Sequence, residues 1–299
     1  MQRTKKGLDL RRLPESGIPV IRVHYSADPT MTPERVAVLR ARYASDARWR
    51  REMESDYGAM EGERLYSEYK PEINDCEPFD VSDPSRWTIW MACDPHMRTP
   101  HAFLWEAFAA DGDRVVCGEI WPDEHVTVEE YAEVVHWIES DSCDKPWEWA
   151  WARGKPLRIH KRLMDTHGSA ANSDMGSDYF AAYRQHKLHF YPAKKGHAEL
   201  DVARDKIART MIPERVIGPR GERMEPRRRI FRTCAETRAE LENVRFPSGD
   251  VERPGQERVM TYQKHMLDCA HYIQTANPGF VLPRREVRSW RPIYKATGY

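Results

Sequence analysis

The segment from Trp87 to Asp94 (WTIWMACD) constrains this chain more than any other. An apolar run of this length predicts a buried strand, and it passes directly into Asp94 and Pro95. Residues 102–109 (AFLWEAFA) and 114–121 (RVVCGEIW) follow as two further strands, with Asp111-Gly112-Asp113 as the intervening turn. Thr127 and Glu130 have the spacing of a capping box, and Tyr131, Val134, Val135 and Ile138 form one helical stripe behind it. Residues 157–164 read as a fourth strand that ends in Asp165. A helix near 177–187, a short strand at 188–192, a helix near 197–211, an extended hairpin at 212–232 and helices near 234–243 and 257–275 complete the pattern. Three meander strands, a helix, and then alternating strands and helices predict an α/β fold built on a mixed sheet flanked by helices.

Upstream, the first 80 or so residues read as a polar, helical connecting region. Thr32 is placed to cap a helix with Pro33 at its first position, and helical periodicity runs from Glu34 to Met60. Pro71, Pro78 and Pro84 break the next stretch into loops. The expected organisation is a helical linker region at 1–85, the α/β domain at 86–280 and a basic C-terminal tail at 281–299. No apolar run approaches the roughly 18 residues of a membrane span, and no signal peptide opens the chain, so no membrane association is expected. Cysteines 76, 93, 117, 143, 234 and 269 lack CxxC spacing, which favours neither a zinc site nor a disulfide framework and suits a reducing cytoplasm.

With 47 basic and 47 acidic side chains the chain is formally neutral. That neutrality is a sum of opposites: residues 1–150 carry 18 basic and 30 acidic side chains, and residues 151–299 carry 29 and 17. A basic surface is therefore expected on the second half. Arg220, Arg223, Arg227, Arg228 and Arg229 crowd the expected hairpin, with Lys194 and Lys195 upstream. Such residues contact phosphates without reading bases, giving salt-dependent and largely sequence-independent DNA binding; a solvated charged hairpin is the competing reading. The tail after Pro283 is basic and unpatterned, and disorder is expected there.

Three acids stand out by position. Asp94 and Asp165 each sit where an apolar strand ends, and Asp268 lies within the last long helix. Carboxylates gathered in this way suit two hard divalent cations, Mg²⁺ or Mn²⁺, which prefer oxygen ligands. Two such ions about 3.5–4 Å apart serve phosphodiester hydrolysis. Strand-end acids also serve as turn or cap residues, and spacing alone leaves both readings open. On an ideal helix Asp268 points about 140° away from the stripe Val259, Tyr262, Met266 and Ile273. Glu119, at the end of the third strand, is a fourth candidate ligand or a salt-bridge partner. Asp174 and Asp178 lie in a loop rich in Gly, Ser and Asn, where they either assist or cap the next helix.

From Ile18 onward the chain resembles the C-terminal part of a bacteriophage large terminase subunit, the DNA-packaging motor protein. The resemblance rests on HYSADPTMTPE, WRREMESDYGAMEGERLYSEY, WMACDP, RLMDTHGSAANSDMGSD and HMLDCAHYI, in that order, and spans roughly residues 18–280. It implies a ribonuclease-H-like nuclease domain at 86–280 that cuts concatemeric double-stranded DNA with two Mg²⁺ or Mn²⁺ ions. The family's acids fall on Asp94, Asp165 and Asp268. Where the family often has another acid shortly before the helix Asp, Lys264 and His265 stand here; His265 either positions water or a phosphate or is a surface residue. A terminase ATPase domain, a small terminase subunit and a portal protein are the implied partners, and the host bacterial cytoplasm is the implied setting.

One departure is plain. The phosphate loop G-x-x-x-x-G-K-[ST] of the terminase ATPase is absent, and Gly218-Pro219-Arg220-Gly221 is no substitute. The expectation is an excised nuclease domain or a split-gene product that does not translocate DNA by itself. Two alternatives remain at this point: another ribonuclease-H-like nuclease of the resolvase or transposase type, and a non-catalytic module that docks on a portal or capsid.

Overall fold

The computed structural model describes residues 2–5, 8–12, 19–41, 43, 46–54, 64–96, 99–145, 147–152, 154–165, 178–194, 196–218, 221–246 and 264–283. Before the main sheet come strands β1 (Gln2–Lys5), β2 (Leu8–Arg12) and β3 (Pro19–Val23), helices α1 (Pro33–Arg40), α2 (Asp46–Met53) and α3 (Pro71–Asn74), and strand β4 (Asp75–Cys76). The central part comprises β5 (Trp87–Asp94), β6 (Ala102–Ala109), β7 (Arg114–Ile120), α4 (Val128–Glu139), β8 (Ile159–Met164), α5 (Tyr179–Gln185) and β9 (Tyr191–Pro192). Helix α6 (His197–Met211), strands β10 (Glu214–Gly218), β11 (Gly221–Glu225) and β12 (Arg228–Phe231), and helices α7 (Ala235–Asn243) and α8 (His265–Thr275) follow.

Seven strands form the main sheet in the order β4-β12-β7-β6-β5-β8-β9. β5, β6 and β7 are an antiparallel meander, whereas β8 runs parallel to β5, β9 to β8, β12 to β7 and β4 to β12. The apolar run is buried from Thr88 to Asp94 because helices cover the sheet around it, α8 packing against both β5 and β6. The β6–β7 turn closes at Gly112, whose φ of +92° suits glycine, while the Asp111 carboxylate accepts from the Asp113 N–H. The capping box of α4 forms as expected: Thr127 Oγ1 accepts from the Glu130 N–H, and Glu130 accepts from the Thr127 N–H at 2.7 Å.

Several expectations need correction. The first 80 residues are not helical throughout, since β1, β2 and β3 form an antiparallel three-stranded sheet. The alternation of Leu8 and Leu10 with Asp9 and Arg11 in β2 is a strand signal, but it spans only four residues. The helical run expected from Glu34 to Met60 is divided into α1 and α2, and residues 55–60 lie outside the described residues. Leu65, Tyr66, Tyr69 and Val81 are buried in the same core as the sheet, and the Leu65 N–H donates to the Val244 carbonyl beyond α7. On α4 the buried stripe is Tyr131, Ala132, Val135 and Ile138; Val134 is exposed. The hairpin is confined to β10 and β11, and β12 leaves it to join the main sheet. The last helix starts at His265, so the stripe members Val259 and Tyr262 lie outside the described residues. Among the described residues no helix is long and apolar enough to cross a membrane.

Candidate active site

Asp94 is the last residue of β5, and Asp165 directly follows β8. The parallel register pairs Cys93 with Met164, and the Asp165 N–H donates to the Cys93 carbonyl at 3.3 Å. Two acids one position beyond the paired residues of adjacent parallel strands must emerge side by side. Asp268 comes from the first turn of α8, the helix laid across β5 and β6.

The same helix supplies what the carboxylates touch. The Tyr272 hydroxyl stands 3.2 Å from both Asp94 Oδ1 and Asp165 Oδ2. His265 Nδ1 lies 2.7 Å from Asp94 Oδ2, its ring stacked on Trp121 with centroids 4.7 Å apart. Lys264 Nζ donates to both oxygens of Asp268 at 2.7 Å. His271 Nδ1 stands 3.5 Å from Asp268 Oδ1, and its Nε2 lies 2.6 Å from the Tyr66 hydroxyl. Burial pushes the Asp94 carboxyl above its ordinary range, and the charges of Asp268 and Asp165 add to the rise against the His265 hydrogen bond. Burial alone would raise Asp268 too, but His271 and the Lys264 ammonium outweigh it and hold this carboxyl at about 2. Tyr272 is pushed far upward by burial among the three acids, so it remains a proton donor.

Glu119 belongs to the scaffold rather than to this cluster. Its oxygens accept from the Glu236 N–H at 2.7 Å, the Thr237 N–H at 2.9 Å and the Thr237 hydroxyl at 2.7 Å, capping the N-terminus of α7. The reading of Glu119 as a metal ligand is thereby replaced by a capping role. Glu240, on α7, repeats the device one helix later. It accepts from the Met266 and Leu267 N–H groups at 3.1 and 2.8 Å and so caps α8. Glu240 and Tyr272 were not legible as site residues, since each meets its partners only through helix packing.

The basic residues divide sharply. Arg228 lies in β12 with its side chain 2% exposed and pairs at 2.5 Å with Glu106, which is 0% exposed, so its assignment to DNA is corrected: it is a core residue. Arg227 pairs with Glu214 and with Asp113, and Arg229 with Asp113 at 3.3 Å and Glu225 at 3.8 Å. These two fasten the root of the hairpin to the β6–β7 turn. Lys194 is exposed beyond β9. Lys195 and Arg220 lie outside the described residues, as does the Arg223 side chain on β11. Asp178 caps α5 by accepting from the Ala181 N–H, and Asp174 lies outside the described residues.

Asp94, Asp165 and Asp268 offer carboxylate oxygens, the donors that a hard divalent cation takes. As arranged, no group of three or more His, Cys, Asp and Glu among the described residues is placed to hold an ion. Lys264, His265 and Tyr272 stand on the oxygens instead. The donor chemistry therefore fits the ion, provided that these contacts are exchanged.

No family model and no curated protein matches the sequence. Solved structures do match. The P22 large terminase nuclease domain aligns with a TM-score of 0.51 at 14% identity, over 73% of this chain and 94% of that one. The large terminase of a thermophilic bacteriophage, in complex with ATP-gamma-S, aligns with a TM-score of 0.56 at 14% identity, over 84% of this chain and 54% of that one. The same protein in complex with ADP gives 0.55. The chain thus spans nearly all of the P22 domain but about half the length of the thermophilic phage's protein. At these identities the likeness is one of fold: the seven-stranded mixed sheet and its helices are the ribonuclease-H-like fold of the large-terminase nuclease domain.

Proposed function

We propose that the chain is a metal-dependent endonuclease of the large-terminase type, cleaving concatemeric double-stranded viral DNA during genome packaging. The observation that carries this reading is the convergence of Asp94 and Asp165 on one Tyr272 hydroxyl, with Asp268 supplied from the helix that bears that tyrosine. Asp94, Asp165 and Asp268 would hold two Mg²⁺ or Mn²⁺ ions. Those ions supply an activated water and neutralise charge on the leaving oxygen. Tyr272 orients the strand-end carboxylates, and His265, fixed between Trp121 and Asp94, places an imidazole at the same edge. Lys194 is exposed for phosphate contact, and Lys195, Arg220 and Arg223 are proposed to contact DNA as well. A terminase ATPase, a small terminase subunit and a portal protein are the partners of this reading, and the host bacterial cytoplasm is its setting.

The purified chain is expected to nick and cut linear duplex DNA in Mn²⁺ or Mg²⁺ and to do nothing in EDTA. Asp165→Ala is expected to abolish cutting with an unchanged circular dichroism spectrum. Cutting retained by that variant removes Asp165 from the site. Preference for four-way junctions over linear duplex would instead place the enzyme with the resolvases, and a chain that neither binds Mn²⁺ nor degrades DNA is a docking module.

A further inference from the structure

Lys264 occupies an unusual place. It is the residue before the first helical position of α8, where the helix dipole disfavours a cation, and its side chain does not cap the helix. The capping is done by Glu240, whose carboxylate takes the Met266 and Leu267 N–H groups. The Lys264 side chain therefore takes no part in capping the helix. One turn on, it meets Asp268, and its ammonium contacts both carboxylate oxygens at 2.7 Å. The pair is 23% and 20% exposed, so water screens it less than a surface pair.

We propose that Lys264 is a built-in cation that competes with the divalent metal for Asp268, so that metal entry requires the ammonium to leave; this rests on the metal-dependent reading above. Mg²⁺ binds carboxylate oxygens at about 2.0–2.1 Å, which would bring it within a few ångströms of an ammonium on the same two oxygens. Two cations in that space repel strongly, and a carboxylate pair closed on one is not presented to the other. The Lys264 carbonyl accepts from the Asp268 N–H at 2.8 Å, which anchors the backbone while leaving the four-carbon stem able to swing away. Asp94 is also engaged, by His265 and Tyr272, but the donors there are an imidazole and a hydroxyl. Lysine alone among these partners offers an ammonium group.

Mn²⁺ binding, followed by electron paramagnetic resonance of the free ion, tests this in the wild type, Lys264→Gln, Lys264→Arg and an Asp94→Asn control. Lys264→Gln is expected to bind Mn²⁺ roughly fivefold more tightly, the factor that loss of an ion pair of this kind allows. Lys264→Arg, which keeps the charge, is expected to bind no more tightly than wild type. The gain in unfolding temperature on adding Mn²⁺ is expected to be larger for Lys264→Gln, because Asp268 then lacks its ammonium partner and keeps only His271. Equal or weaker binding by Lys264→Gln, with wild-type binding that Asp94→Asn abolishes, overturns the competition and leaves the metal site standing. Absence of binding by wild type and Lys264→Gln alike, or binding that Asp94→Asn leaves intact, overturns both.

Discussion

His101 is the residue immediately before β6, wholly buried, with its ring stacked on Tyr131 and its Nδ1 2.6 Å from the Tyr183 hydroxyl. Burial, aided by the neighbouring His125, holds its pKa down at about 3. An imidazole that resists protonation only when folded contributes stability above the unfolded value near 6.5 and loses it as pH falls from there toward 3. Between pH 6 and 4 the wild type is therefore expected to lose about 1.4 kcal/mol per pH unit through this one group. In urea titrations across that range, His101→Phe should show a slope shallower by one proton; an unchanged slope would assign the acid sensitivity elsewhere. Residues differ in how far their sequence context betrays them. The strand-end placement of Asp94 and Asp165 was legible because strand ends are written in the apolar runs before them. Arg228 was not, because its partner Glu106 lies on another strand, and an arginine among arginines reads as a charged surface until the sheet is assembled.

Helix ends show the same contrast at the scale of elements. The start of α4 was legible because Thr127 and Glu130 cap it from within. The starts of α7 and α8 are set from outside, by Glu119 on β7 and Glu240 on α7, which links the sheet to the helix carrying Asp268. No local pattern marks such a boundary, so a longer last helix was expected than forms. Glu119→Gln, which keeps one acceptor oxygen and removes the charge, is expected to destabilise the fold by about 1–2 kcal/mol in urea unfolding. Mn²⁺ binding should persist in that variant; its abolition would return Glu119 to the metal ligands. The strands β1 to β3 escaped notice for a different reason: at four or five residues each, their period-two signal, as in Leu8-Asp9-Leu10-Arg11, is too short to stand out.

Across the whole molecule, the opposed charges of the two halves meet as internal pairs. Glu106, Asp113 and Asp75 from the acidic half hold Arg228, Arg227, Arg229 and Arg238 from the basic half. Part of the charge asymmetry is therefore a description of how β12 and α7 dock on the rest of the sheet, and fewer arginines remain for the proposed DNA surface than the count suggested. Arg228→Met is expected to cost about 3–5 kcal/mol by leaving Glu106 buried without its partner, and Arg228→Met with Glu106→Leu should recover most of it. Urea unfolding measures both, and a double variant no more stable than the single would show that Glu106 is not what makes the loss costly. DNA affinity should be unchanged in the double variant.

The placement of Lys264, His265, Asp268 and Tyr272 along a single eleven-residue helix and its cap has a mechanical consequence. The proposed reacting centre is assembled from two bodies, a pair of strand ends and one helix. A small slide or roll of that helix shifts the His265–Asp94, Tyr272–Asp94 and Tyr272–Asp165 contacts together, while the Lys264–Asp268 pair, internal to the helix and its cap, travels with it unchanged.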